Sequence, residues 1–302
     1  MNASTDSKDS IYQHMQQIRR LQWLARRAVR DLLGGAYHSV FKGTGLTFEE
    51  VRPYSPGDDV RCIDWNVTAR LNEPYSKRFI EERERTVLLL LDASASLAFG
   101  TGPFSKRQAA AELAALLTFA ALANNDRVGL LLFSDQLELA LPPAKGQRHA
   151  LRVVREILWY PPRHRGTNLS RALDQLPRLV RRRAVVFLLS DFLDSGYEQA
   201  LCRAAARHDL VAVHLSDPRE CELPPVGLVQ WRDAESDTPL LIDTSAPAVR
   251  QAYRQHARER IQRLHQILGA AGVDLIETQT DGNHVHSLLR FFQTRLARAK
   301  RS

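Results

Sequence analysis

The sequence predicts an open, mostly parallel, doubly wound α/β sheet, and three observations carry that prediction. Two runs, Thr86 to Leu91 (TVLLLL) and Ala184 to Leu189 (AVVFLL), are continuously apolar, as strands buried on both faces are. Stretches of helical length stand between successive strands. Polar loops rich in Asp, Ser and Thr follow the apolar runs directly, at the strand ends where such sheets hold ligands.

Taken in order, residues 12 to 33 place Ile18, Leu21, Leu24, Val29, Leu32 and Leu33 near helical spacing, with Arg19, Arg20, Arg26, Arg27 and Arg30 between them. Gly34-Gly35 ends this basic amphipathic helix, so 1–35 reads as an N-terminal tail and helix. Residues 36–84 are broken by Gly43-Thr-Gly45, Pro53-Tyr-Ser-Pro56-Gly57 and Asn72-Glu-Pro74 and read as a small β-rich insert. Phe48 stands where a dinucleotide loop needs its third glycine, so that fingerprint fails. Asp58, Asp59 and Asp64 are expected to pair with Arg52, Arg61 and Arg70 in an ion-pair lattice that holds the insert on the main domain, a plainer role than a nuclease-like metal cluster with Lys77 or Glu82.

From Arg85 strands and helices alternate. A long apolar helix is expected from about Ser105 to Asn124, then a hairpin of Val128 to Phe133 and Leu137 to Leu141, its second strand antiparallel. Helices follow at about Gln147 to Trp159, Asn168 to Arg182 and Tyr197 to Arg207, and a strand at Leu210 to Leu215. A second hairpin joins Leu228 to Trp231 and Pro239 to Ile242. A long helix, about Ala246 to Ala271, precedes a last strand at Val273 to Glu277 and a terminal helix at about Val285 to Ala299. The organisation read from this is a main domain over 85–281 and a C-terminal helix over 282–302.

With 302 residues the chain is long enough for one or two domains with a sizeable core. Cys62, Cys202 and Cys221 are odd in number and widely spaced, which supports neither a disulfide framework nor a zinc site and fits a reducing compartment. The polar start MNASTDSKDS has no apolar leader. The most apolar helix, Ala109 to Ala123, carries Glu112 and Thr118 and suits a protein core better than lipid, so a cytoplasmic location is expected. The formal charge of +8 comes from 42 Lys and Arg against 34 Asp and Glu, with only six lysines. Nucleic-acid binding through arginine-rich faces is therefore an alternative function. Arg181-Arg182-Arg183 and the terminal Arg295, Arg298, Lys300 and Arg301 are its candidates, although solvated helix ends are the commoner meaning.

The chemistry concentrates after the two apolar runs. Asp92-Ala-Ser94-Ala-Ser96 follows the first and Ser190-Asp191 the second, and Arg165-Gly166-Thr167-Asn168 offers a hydroxyl at a helix start. Singly, Thr167 reads as an N-cap, Asp191 as a loop carboxylate and the serines as local hydrogen-bond partners. Together, Asp92, Ser94, Ser96, Thr167 and Asp191 are five hard oxygen donors at one sheet edge, suited to Mg²⁺ or another divalent ion such as Mn²⁺ and unsuited to zinc. Neutral hydroxyls leave the ion with much of its charge, so it can accept a carboxylate from outside.

Catalytic readings fit less well. An aspartyl-phosphate enzyme wants a second carboxylate where Ser94 stands, and a serine hydrolase wants a G-x-S-x-G elbow with a base, which Ser94 and Ser96 lack. His284-Val-His286 has no Cys or acidic partner at zinc-site spacing. A non-enzymatic function is expected.

The region from about Arg85 to Asp281 resembles a von Willebrand factor A-type domain, whose metal-ion-dependent adhesion site uses D-x-S-x-S, a later Thr and a later Asp. The segment before it, Phe48-Glu-Glu-Val-Arg-Pro-Tyr-Ser-Pro-Gly-Asp-Asp59, with Arg61, Ile63-Asp-Trp65, Ala69-Arg70 and Glu81 to Glu84, resembles the bacterial family catalogued as domain of unknown function fifty-eight. The resemblance implies a Rossmann-like fold, a metal-dependent protein-interaction role of adaptor or co-chaperone type, and coupling to a MoxR-type AAA+ ATPase in assembly or activation of other complexes. Many relatives carry two membrane helices before this core. No such run stands at this N-terminus, so membrane anchorage is not expected.

Overall fold

The apolar runs become the centre of a six-stranded sheet in a computed structural model that describes residues 46–71, 73–81, 84–232, 234–235 and 237–299. The basic helix read over 12–33, the Gly43 to Gly45 turn and the terminal Lys300 and Arg301 lie outside the described residues. Two compact units divide at Arg85.

In the first unit, β1 (Leu46–Pro53) pairs antiparallel with β2 (Tyr75–Glu81), and the register shifts between Phe48 and Glu50. Between them lies a short helix that the sequence pattern did not reveal, α1 (Trp65–Leu71). No residue of α1 is buried, so it has no apolar stripe to read. Asp64 starts it by accepting from the backbone N–H groups of Asn66 and Val67 at 3.0 and 3.3 Å. The expected lattice is corrected in part. Arg52 does meet Asp58 at 2.6 Å, but Asp59 caps a 3₁₀ turn through the N–H of Arg61 and Asp64 meets Lys77 at 3.4 Å. Short polar side chains beside a turn satisfy backbone donors before they reach distant arginines.

In the second unit the strands are β3 (Thr86–Asp92), β4 (Arg127–Phe133), β5 (Leu137–Ala144), β6 (Val185–Ser190), β7 (Asp209–Ser216) and β10 (Asp274–Gln279). Their order is β10-β7-β6-β3-β4-β5, all parallel except β5, which pairs antiparallel with β4 as the hairpin reading requires. A separate hairpin joins β8 (Leu228–Arg232) and β9 (Pro239–Asp243). The expected α/β architecture is present.

Helices cover both faces because β3 and β6 are buried on both. On one face α2 (Lys106–Ala123) packs beside α3 (Gln147–Trp159) and α8 (His284–Ala299). On the other, Leu88, Leu90, Val186 and Leu188 form one core with α4 (Leu169–Leu173), α5 (Leu176–Leu179), α6 (Glu198–Arg207) and the end of α7 (Pro247–Ala270). Alternate strand residues thus feed opposite layers. The single helix expected over Asn168 to Arg182 is broken into α4 and α5. Pro177 has no N–H to donate to the preceding turn, so the chain re-starts there with proline in the first turn. The tract Ala109 to Ala123 is a core helix, and among the described residues no helix is long and apolar enough to cross a membrane.

The topology fixes where ligands belong. The chain moves from β3 outward to β4 and β5, then returns to the other side of β3 as β6, so the strand order reverses between β3 and β6. A crevice opens at the carboxyl ends of such a pair.

Candidate functional site

Asp92 ends β3 and Asp191 follows β6, so the reversal point brings both carboxylates to one edge. The chain after Asp92 winds into a 3₁₀ turn, Ala95–Ala98, which folds Ser94 and Ser96 back over the strand end. Asp92 Oδ1 accepts from the N–H of Ser94 at 2.9 Å, and its Oδ2 accepts from the Ser190 hydroxyl at 2.7 Å. The hydroxyls of Ser94 and Ser96 are 3.0 Å apart, and that of Ser96 donates to Asp191 Oδ2 at 2.8 Å. Four of the five sequence-predicted residues therefore form one hydrogen-bonded cluster, and all four are buried.

Thr167, the fifth, stands half-buried on the adjoining loop. That loop is stitched to the cluster through its backbone, with the N–H of Ala95 donating to the carbonyl of Arg165 at 2.9 Å. The Thr167 hydroxyl itself donates to Glu235 at 2.7 Å. Thr167 is not the N-cap of α4. Asn168 caps it, accepting from the N–H of Arg171 at 2.8 Å.

The loop after β6 is held in an uncommon shape. Phe192 has φ 54, a left-handed conformation that a bulky residue seldom adopts. This turn points the N–H of Phe192 at Ser190 Oγ and that of Leu193 at Asp191 Oδ1, at 3.1 and 3.3 Å. The Phe192 ring is buried and meets Tyr197 and His214 with centroids 6.1 and 6.2 Å away, which locks the turn.

Spacing alone did not reveal Lys106. It is the first residue of α2, its side chain is fully buried, and its ammonium lies 2.6 Å from both Asp191 Oδ2 and Glu220 Oε1. Burial pulls the ammonium pKa down, but Asp191 and Glu220 outweigh it and hold it above its ordinary value. The loop that delivers Lys106 is tight. A Cβ on Gly100 would come within 2.5 Å of the carbonyl oxygen of Phe104, and one on Gly102 within 2.7 Å of that of Thr280. Ser105 and Gln108 close a capping box over the helix start.

Asp92 is the electrostatic opposite. Burial, and then the charge of Asp191, push its carboxyl up to about 7 against the hydrogen bonds from Ser190 and Ser94. Asp191 has an ammonium beside it; Asp92 has the hydroxyls of Ser190 and Ser94 and the backbone N–H of Ser94. The donors are hard oxygens throughout, and among the described residues no cation pairs directly with the Asp92 carboxyl. That combination fits a hard divalent cation. Among the described residues no group of three or more His, Cys, Asp or Glu side chains forms a metal-ligand set of the carboxylate-rich or imidazole-thiolate kind.

The model of the family described as Protein of unknown function DUF58 matches residues 50–263. The chain belongs to this family. Uncharacterized proteins of Mycobacterium tuberculosis and Mycobacterium bovis are 33% identical to this DUF58 chain over 281 residues, covering 92% of it and 88% of theirs. Among solved structures, BatB from Bacteroides thetaiotaomicron is similar with TM-score 0.48 and 16% identity, over 72% of this chain and all of that one. The SpRpn10 VWA domain gives TM-score 0.36 at 12% identity, over 68% of this chain and 94% of that one. The mussel byssus proximal thread matrix protein 1 with a zinc-occupied MIDAS motif gives 0.40 at 11% identity, over 71% and 48%.

Proposed function

We propose that this DUF58 protein is a metal-dependent protein-interaction module, an adaptor and not an enzyme. Asp92, Ser94, Ser96, Thr167 and Asp191 would hold one divalent cation, Mg²⁺ or Mn²⁺. When bound, that ion supplies a Lewis-acidic site for a carboxylate of a partner protein. The chain's own residues orient the ligands: Ser190 and the N–H of Ser94 fix the Asp92 carboxylate, and Lys106 fixes that of Asp191.

The observation that carries the reading is the buried, cation-poor Asp92 inside a ring of hydroxyls at the strand-order reversal. A purely structural carboxylate at that depth is normally neutralised by donors or an ion pair. Among the described residues no histidine hydrogen-bonds to Ser94 or Ser96, so a base-activated serine gains no support. Two of the arginines named for the nucleic-acid alternative are engaged within the chain, Arg295 with Asp209 at 2.7 Å and Arg298 with Asp274 at 3.6 Å.

The family resemblance adds the proposal that the partner is a MoxR-type AAA+ ATPase. The test is capture of that ATPase on the immobilised full chain with Mg²⁺, with chelator, and with the Asp92→Asn variant. The account expects capture with Mg²⁺ alone. Equal capture in all three would contradict it.

A further inference from the structure

We infer that Lys106 is a resident cation of the site, one that competes with a divalent ion for Asp191 and so keeps metal binding weak and exchangeable. The inference rests on the metal-site reading above and concerns what limits that site.

The position of Lys106 is hard to explain as ordinary helix chemistry. A helix N-terminus carries partial positive charge, so a lysine in the first turn is disfavoured by the dipole. Complete burial of an ammonium is costlier still and is met only where it is paired. Both costs are offset by two carboxylates at 2.6 Å, and the two differ in kind. Asp191 belongs to the oxygen cluster, and the oxygen that touches the ammonium is the same Oδ2 that accepts from Ser96. Glu220 lies outside the cluster, in the 3₁₀ turn Pro218–Glu220 after β7, where its other oxygen accepts from the N–H of Asp217 at 3.0 Å.

Lys106 thus spans two stations. A cation drawn to Asp92 and the serines meets a fixed positive charge bound to the same Asp191 oxygen as Ser96. It also finds half of the site's carboxylate charge already offset. Release of the ammonium from Asp191 leaves it on Glu220, still paired and still buried. Metal arrival would therefore be answered by a shift of Lys106 towards the Pro218–Glu220 turn, whose Asp217 also binds Thr101 and Thr280. Occupancy of the site is in this way felt by the loops that follow β3, β7 and β10.

The experiment measures Mn²⁺ affinity of the full chain by equilibrium dialysis with spin-resonance counting of free Mn²⁺, for the wild type, Lys106→Met and Glu220→Gln. Methionine keeps the length and apolar stem without the charge. Lys106→Met is expected to bind about tenfold tighter or more, because a like charge is removed at low dielectric. Glu220→Gln is expected to bind several-fold weaker, since the ammonium then rests on Asp191 alone. The double variant K106M/E220Q removes the ammonium without stranding Glu220, so it keeps the comparison with E220Q readable where K106M fails to fold. It is expected to bind more than about tenfold tighter than E220Q.

Equal affinities with and without the lysine, or weaker binding in its absence, would overturn the inference and leave the metal site standing. Absence of Mn²⁺ binding in every variant and in the wild type would overturn the metal reading and this inference together.

Discussion

Asp92 and Asp217 are both buried at the carboxyl edge of the same sheet, and their environments have driven their carboxyl groups in opposite directions. Asp217 accepts from the N–H and hydroxyl of Thr101 at 2.8 and 2.7 Å, from the Thr280 hydroxyl at 2.6 Å and from the N–H of Arg219 at 2.9 Å. Burial pushes its pKa up, but these donors outweigh burial and hold the group below the ordinary carboxylate range. Asp92 is bonded by Ser190 and by the N–H and hydroxyl of Ser94, faces a second carboxylate and is pushed up. Both are shielded from solvent but Asp92 is the more deeply enclosed, so burial, the number of donors and the sign of the neighbour together decide the outcome. The first arrangement is a clamp that joins three loops; the second is where the proposed function would seat a cation.

The comparison is broken most forcefully at the clamp. Asp217→Ala leaves the buried hydroxyl of Thr280 and the partly buried donors of Thr101 and Arg219 without their acceptor. A loss of about 3–5 kcal/mol in urea unfolding is expected. Near-neutral unfolding energetics would show that the clamp is not what holds these loops.

A third buried polar group, His214 on β7, sharpens the electrostatic side. Burial lowers its imidazole to about 4, outweighing the attraction of Asp191 and Glu277. Its folded pKa therefore lies below the unfolded value near 6.5, and the unfolded chain binds the extra proton between these limits. The stability this group contributes is present above pH 6.5 and lost as pH falls towards 4, by about 2–3 kcal/mol. Unfolding followed from pH 7 to pH 4.5 should fall more steeply in the wild type than in His214→Leu. Parallel curves would contradict the assignment.

At Asp92 the sign reverses. Its folded pKa lies above the unfolded value of 3.8, so in the metal-free protein this group's contribution falls as pH rises from about 4 to about 7. Asp92→Asn should leave the metal-free protein about 1–2 kcal/mol more stable than wild type at pH 8, as judged by chemical denaturation in chelator. Asp217→Asn, its counterpart at the clamp, should not stabilise at any pH. The smallest effect belongs to the rim, where Thr167→Val removes one half-buried hydrogen bond to Glu235 and should cost about 0.5–1 kcal/mol in the same assay.

How much of this could be read from residues alone follows from what burial does to a sequence. β3 and β6 were legible because strands covered on both faces leave unbroken apolar runs, and α3 because its polar face is exposed. The helix α1 buries nothing and left no pattern, and Pro177 divided a helix whose apolar spacing ran straight through the break. Within the site, Asp92, Ser94 and Ser96 were legible because they are close in the chain. Lys106 meets partners 85 and 114 positions away, and Glu235 meets Thr167 across 68, so no local spacing records either contact. One signal was present for Lys106. It is a lysine that, with Arg107, opens a helix whose body is mostly Ala and Leu, where the helix dipole argues against a cation.

The measurement that tests the central claim most directly is a calorimetric titration of the full chain with Mg²⁺, run beside Asp92→Asn with both proteins shown to be folded by circular dichroism. The account predicts one binding site in the wild type and none in the variant. Equal binding by both proteins, or no binding by either, would contradict it.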